Sequence, residues 1–210
     1  LNELFGKKYP KAFRQQHISY YKEKDPSELA LINYTSGTTG FSKGVMLPYR
    51  ALWSNIDFAK GVLGKTIKKG DNTISILPMA HMYGMSFEFL FEFLHGCHVF
   101  YLTRVPSPAI IAQAFKDVKP AIVIAVPLVI EKIIRKKVFP QIQNTKVKLL
   151  MKMPGVGKKV KKRICEQVYQ AFGGNLYEVI IGGAALNQEI ESFLKDIDFP
   201  FTVGYGATEC

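Results

Sequence analysis

Cysteine is scarce in this chain. Cys97, Cys165 and Cys210 form an odd, scattered set without metal-binding spacing, which fits a reducing cytosol. Long apolar runs are also missing. The longest, Ala121 to Ile130, carries Pro127 and is far too short to span a bilayer. No charged-then-apolar leader opens the chain, so no signal peptide is expected. There are no internal repeats. Acidic residues are outnumbered, 17 against 28 basic ones, for a net charge of +11. Between Glu131 and Arg163 lie twelve Lys or Arg and one Glu, so the whole excess sits in that segment. What remains is ordinary: 210 residues, 48% hydrophobic and 21% charged, describe a soluble globular protein with room for a good core.

Against that background one stretch stands apart, Tyr34-Thr-Ser-Gly-Thr-Thr-Gly-Phe-Ser-Lys-Gly-Val45. It follows an apolar run, residues 29–33, that reads as a short buried strand. From Thr35 to Gly44 only Phe41 is apolar, a composition that packs no core. It suits a loop whose backbone N–H groups and hydroxyls turn around an anion, with Lys43 adding a full positive charge. The ordinary P-loop pattern fails at two defining positions, because Ser42 stands where Gly is required and Gly44 where Ser or Thr is required. A flexible polar linker is the bland alternative, and the strand directly before the stretch argues against it.

Strand and helix signals alternate after the turn Asp25-Pro26-Ser27. Strands are expected at 73–77, 98–102, 121–126, 176–181 and 201–203. Helices are expected from Pro48 to about Leu63, from Pro108 to about Val118 with Ser107 as cap, at 128–138, at 156–172 and at 187–195. The stretch 85–94 is aromatic and apolar, with Glu88 and Glu92 one helical turn apart. The fold class is therefore α/β, a mostly parallel sheet with helices on both faces. Ligands in such sheets bind beyond the carboxyl ends of the strands. The polar, glycine-rich stretches follow Asn33, Leu77, Ile181 and Val203, which points to one shared site.

Four motifs now resemble a known family, the adenylate-forming (AMP-binding) superfamily. YTSGTTGFSKGV is similar to its phosphate loop, with Ser42 where the usual form has Pro. Leu77-Pro-Met-Ala-His-Met-Tyr-Gly84 is similar to a second loop in which a histidine or aromatic faces the acyl group and phosphate. Ile181-Gly-Gly-Ala-Ala-Leu186 resembles a Gly-Gly-Ala-Pro-Leu turn, with Ala185 in place of Pro. Val203-Gly-Tyr-Gly-Ala-Thr-Glu-Cys210 matches a Tyr-Gly-x-Thr-Glu motif at every defining position. The resemblance implies that Thr35, Ser36, Gly37, Thr38, Thr39, Gly40 and Lys43 cradle ATP's phosphates. It implies that Gly182, Gly183 and Ala184 leave room for the purine, and that Tyr205 and Gly206 flank it. Thr208 would bond the α-phosphate and Glu209 would hold Mg2+. Lys43, His81, Thr208 and Glu209 are the implied catalytic set. Without that context, His81 reads more readily as a loop histidine bonded to a carbonyl, and the Gly-Gly turn reads equally well as a tight strand-to-helix turn.

Residues 126–132, a basic helical insertion over about 128–172, and Phe172-Gly-Gly-Asn175 look like the long-chain acyl-CoA synthetases. The implied substrates are a fatty acid, ATP and CoA. Another carboxylic acid, or transfer to a carrier protein, stays open, as does a basic membrane- or nucleic-acid-binding module without catalysis. For residues 131–163 the readings are a solvated helical surface, contact with anionic lipid headgroups, or a nucleic-acid footprint. The last has little aromatic interleaving, so no nucleic acid is expected. The expected place is the cytoplasm, with the lipid reading adding peripheral attachment to the inner face of the membrane. The resemblance divides the chain into an irregular lead-in, 1–24, and the middle of a large amino-terminal domain, 25–210. The carboxyl-terminal domain would be absent, so these 210 residues alone are expected to turn over poorly. Oligomeric state is not legible in the residues.

Overall fold

The computed structural model describes residues 25–36, 42–142, 149–151 and 153–209. The predicted lead-in, 1–24, lies outside them.

Two strands, β1 (Leu29–Ser36) and β2 (Ser42–Pro48), pair antiparallel with each other and, among the described residues, with no other strand. Thr35 lies opposite Lys43, and Ser36 opposite Ser42. This corrects the expectation that β1 is a buried strand of the parallel sheet. Leu29 and Ile32 are 45% and 48% exposed, because a two-stranded ribbon has only one face to pack. Pro48 also differs from expectation. It ends β2 in an extended conformation (ψ 163°), and α1 (Tyr49–Leu63) starts one residue later. The first N–H groups of α1 donate to carbonyls of the preceding turn, Tyr49 to Glu28 (3.1 Å) and Arg50 to Pro26 (2.8 Å).

The main sheet has five parallel strands in the order β4-β3-β5-β6-β7. These are β3 (Asn72–Ser75), β4 (His98–Tyr101), β5 (Ile122–Ala125), β6 (Glu178–Ile181) and β7 (Phe201–Val203). Between β3 and β4 runs a π-helical segment, Gly84–Phe91, continued by α2 (Glu92–His95). The remaining helices are α3 (Pro108–Val118), α4 (Pro127–Ile133) with a π-helical continuation Ile134–Val138, α5 (Phe139–Ile142), α6 (Val156–Ala171) and α7 (Gln188–Asp196).

Alternate residues of the strands serve two cores, as a period of two requires. Ile74, Val123, Ala125, Val179 and Ile181 face a large cluster containing Phe115 of α3, Val168 of α6 and Leu194 of α7. Ile122 and Ile124 face the other side, with Ala59 and Leu63 of α1 and the fully buried Phe91. Helices thus cover both faces. The first cluster is closed by stacked Phe115 and Phe172, with ring centroids 5.3 Å apart. Ser107 caps α3 by accepting from the Ile110 N–H, and Asn187 caps α7 through Glu189 and Ile190. No helix among the described residues is long and apolar enough to cross a membrane.

Candidate active site

The β3 ladder stops at Ser75, two residues before the expected end. The freed N–H groups of Ile76 and Leu77 donate to the Glu88 carboxylate at 3.1 and 2.9 Å, and the Ser75 hydroxyl donates to it at 3.1 Å. From there the chain enters the loop that carries His81. This loop is tightly wound: His81 N–H donates to the Pro78 carbonyl and Met85 N–H to the His81 carbonyl. A Cβ on Gly84 would lie 2.8 Å from the Pro78 oxygen, so only glycine fits there. His81 is exposed, and its Nδ1 accepts from the Tyr83 N–H at 3.2 Å. That bond leaves the neutral ring's proton on Nε2, which is free to donate to an anionic oxygen.

Tyr83 carries the loop across to β6. Its hydroxyl donates to the Ile180 carbonyl at 3.1 Å, and its ring lies where a Cβ on Gly182 would approach within 3.0 Å. Burial, with the nearby Glu88 charge, pushes the Tyr83 phenol well above its usual range, so it acts as a neutral donor. Gly182 donates its N–H to Ala125 at the end of β5, and Gly183 turns the chain with φ +84°. Gly204 donates to Ile181, which keeps the stretch after β7 alongside this turn. Beyond it, Ala184, Tyr205, Gly206 and Glu209 are exposed and Thr208 is half-buried; Tyr205 is 99% exposed.

The hairpin joins the same place. The Asn33 side-chain amide donates to the Ala80 carbonyl at 2.8 Å, two residues before the Thr35–Lys43 pair. Lys43 is exposed and Thr35 half-buried. Gly37, Thr38, Thr39 and Gly40 lie outside the described residues, and of Ser36 only its place in the strand is described. Gly44 lies against its partner strand: a Cβ there would come within 2.9 Å of an Ile32 methyl, so that side chain would have to move. The glycine-rich stretch therefore joins two strands that pair antiparallel with each other, and does not follow a strand of the parallel sheet as expected. The loops after β3, β6 and β7 do gather at one end of the parallel sheet, and Asn33 ties the hairpin to them.

A family profile described as "AMP-binding enzyme" matches residues 3–210. The chain belongs to that family. It is 27% identical over 199 residues to long-chain-fatty-acid–CoA ligase 1 of Saccharomyces cerevisiae, covering 87% of this chain and 28% of that protein. It is 30% identical over 193 residues to long-chain-fatty-acid–CoA ligase 2 of Schizosaccharomyces pombe, covering 84% and 28%. Among solved structures, the adenylation domain of a carboxylate reductase from Mycobacterium chelonae matches with a TM-score of 0.61 at 26% identity, over 89% of this chain and 28% of that one. A malonyl-CoA ligase complex with methylmalonyl-CoA and AMP gives a TM-score of 0.65 at 23% identity, over 90% and 35%, a likeness of fold. This chain spans less than a third of the length of either yeast ligase.

In this member of the AMP-binding family, three residues at the site carry weight that the motifs alone did not assign: Asn33, Tyr83 and Glu88. A signal existed for Glu88, since a carboxylate inside the aromatic stretch 85–94 has to face something polar. Of that stretch, Phe91 is core and Phe93 is 65% exposed. No group of three or more His, Cys, Asp or Glu side chains gathers for a metal among the described residues. Magnesium at a phosphate site asks for less, one or two carboxylates plus the phosphates themselves, and Glu209 is an exposed carboxylate of that kind. Cys97 offers no nucleophile. Burial, then the charges of Glu92 and Asp71, push its thiol up to about 11.

Proposed function

We propose that the protein containing this chain activates a long-chain fatty acid with ATP and passes it to CoA. The observation that carries this reading is the gathering of the His81 loop, the Gly182–Ala184 turn and the stretch after β7 at one end of the parallel sheet, with the hairpin tied there through Asn33. The yeast relatives support a long-chain fatty acid as the acid. Another carboxylic acid, or a carrier protein as acceptor, is the competing reading.

A carboxylate is a poor electrophile at neutral pH, and adenylation corrects this. A carboxylate oxygen attacks ATP's α-phosphorus, the bond to the β-phosphate oxygen breaks, and pyrophosphate leaves. The CoA thiolate then attacks the acyl carbon and AMP departs with the electron pair of the C–O bond. The first step brings two anions together, so the site must neutralise charge before and during attack. Lys43, the hydroxyls of residues 35–39 and the loop's N–H groups are assigned to the phosphates. His81 Nε2–H and Thr208 are assigned to the oxygens around the α-phosphorus, Tyr205 to the adenine face, and Gly182, Gly183, Ala184 and Gly206 to the space it needs. Glu209 is assigned to Mg2+, which supplies charge neutralisation at the phosphates when bound.

The test is pyrophosphate exchange by the full-length enzyme over a panel of acids. Long-chain acids are expected to support exchange best. Lys43→Ala and Glu209→Gln are each expected to lower it on the order of 10²–10³-fold. Exchange unchanged by both substitutions removes them from the mechanism, and exchange with short acids only removes the long-chain assignment.

The basic segment adds a partner. Pro108 and Ala112 of α3 and Ile133 of α4 floor a depression of about 310 Å³ rimmed by Lys116, Lys132 and Lys136. Leu149, Met153 and Val156 are exposed close by in sequence, at 65%, 44% and 41%. Lysines around exposed apolar side chains suit an anionic bilayer surface. Arg135 and Lys161 are engaged elsewhere, in ion pairs with Glu189 and Asp196 of α7. Salt-sensitive binding of the full-length protein to vesicles containing phosphatidylserine is expected; no binding at low salt removes this partner.

A further inference from the structure

We propose that Glu88 is a positioning residue of the adenylation site: its buried carboxyl group grips the end of β3 and thereby sets the loop that carries His81. The proposal rests on the ligase reading for its consequence, but the grip itself is geometric. Glu88 is 1% exposed. Its Oε2 accepts from the Ser75 hydroxyl (3.1 Å), Ile76 N–H (3.1 Å) and Leu77 N–H (2.9 Å), and its Oε1 shares the Ile76 N–H at 3.1 Å. These are the two amides that leave the sheet ladder, so without Glu88 the root of the loop has no fixed partner for them. Everything that orients His81 starts from that root. The Tyr83 N–H fixes the imidazole, the Tyr83 hydroxyl fixes the loop to β6, and Asn33 fixes its apex to the hairpin.

The residue type fits this role. An ionised carboxylate is acceptor-only and can meet several donors at once. A short apolar side chain would leave all of them facing a void. Gln keeps one carbonyl oxygen for the three donors on Oε2 and sets an amide N–H2 beside the fourth contact. The strand side is matched as well, for Thr73 and Ser75 turn polar groups toward this helix while Ile74 faces the opposite core.

The test uses the full-length enzyme and two readouts. Hydrogen exchange in Glu88→Ala is expected to accelerate in residues 76–84 while the other sheet strands keep their protection. Glu88→Gln is expected to show a smaller change in the same peptides, and it carries the comparison if the alanine variant fails to fold. In pyrophosphate exchange, Glu88→Ala is expected to lower kcat on the order of 10–100-fold, as a misplaced catalytic group does. Glu88→Gln should restore it to within a few-fold of the parent. Combined with His81→Ala, the alanine substitution should cost almost nothing more, since both act through one group. Protection of 76–84 unchanged, protection lost uniformly, or fully additive losses would each overturn the proposal. If no acid supports exchange in the parent enzyme, the ligase reading falls, and the hydrogen-exchange readout still decides whether Glu88 holds the loop.

Discussion

Glu92 sits one helical turn beyond Glu88 and has the opposite balance of partners. It is 1% exposed, and neither its Oε2 nor the nearby Thr73 Oγ1 has a hydrogen-bond partner. Burial, and then the charge of Glu88, raise its carboxyl from 4.5 to about 9, and the Thr73 hydroxyl beside it pulls the other way without closing a hydrogen bond. In the unfolded chain the same group ionises at its ordinary value. Between those two values the folded protein holds a proton that the unfolded chain releases, so stability falls as pH rises from about 4.5 to about 9. Each pH unit in that window costs about 1.4 kcal/mol, so by about pH 7.5 the accumulated cost is on the order of 4 kcal/mol. That is a large share of a normal folding free energy of roughly 5–15 kcal/mol. Glu92→Gln keeps the shape, cannot ionise, and offers an N–H2 within the Thr73 neighbourhood. The expected outcome is a variant close to the parent near pH 5 and more stable by about 4–5 kcal/mol near pH 8. The assay is the thermal midpoint of the full-length protein against pH, parent beside variant. A variant destabilised equally at both pH values would mean that Glu92 is ionised and satisfied in the folded state, and the reasoning would be wrong.

The other predictions concern packing and the loop. Phe172→Ala should cost about 3–5 kcal/mol, because its fully buried ring stacks on Phe115 and meets Phe199 at 5.5 Å; denaturant melts measure this. Tyr83→Phe removes the bond to Ile180 and should cost roughly 1 kcal/mol of stability while slowing pyrophosphate exchange more than that small loss suggests. Gly182→Ala places a Cβ 3.0 Å from the Tyr83 ring and should raise KM for ATP by displacing the loop, with little change in thermal midpoint. Glu88 is raised to about 7, chiefly by burial, so the parent's loss of stability should be steepest between about pH 4.5 and about pH 7, where both carboxyl groups contribute.

Much of this protein was legible in its residues. Strand β5 announced itself by an apolar run with no polar alternation, as happens when both faces are covered, and all four of its residues are buried. Ser107-Pro108 and Asn187 marked helix starts because capping is local chemistry. The glycine-rich motifs were readable for the same reason, since a turn's demands fall on the residues that make it. The hairpin was not readable. Which strand pairs with β1 depends on hydrogen bonds to residues distant in sequence, and the run 29–33 looks the same whether buried or half-exposed.

The amino-acid order by itself determined the parallel α/β arrangement and the positions of the turns, because each follows from local periodicity and turn chemistry; the family came from the resemblance of its motifs. Only the three-dimensional packing decided that Glu88 and Glu92 are core carboxyls and not a solvated pair on a helix surface. Two residues along a strand and four along a helix advance by nearly the same distance, roughly 6–7 Å. Glu88 and Glu92 therefore come to rest over Ser75 and Thr73, a match made across two elements that neither element's own residues could specify.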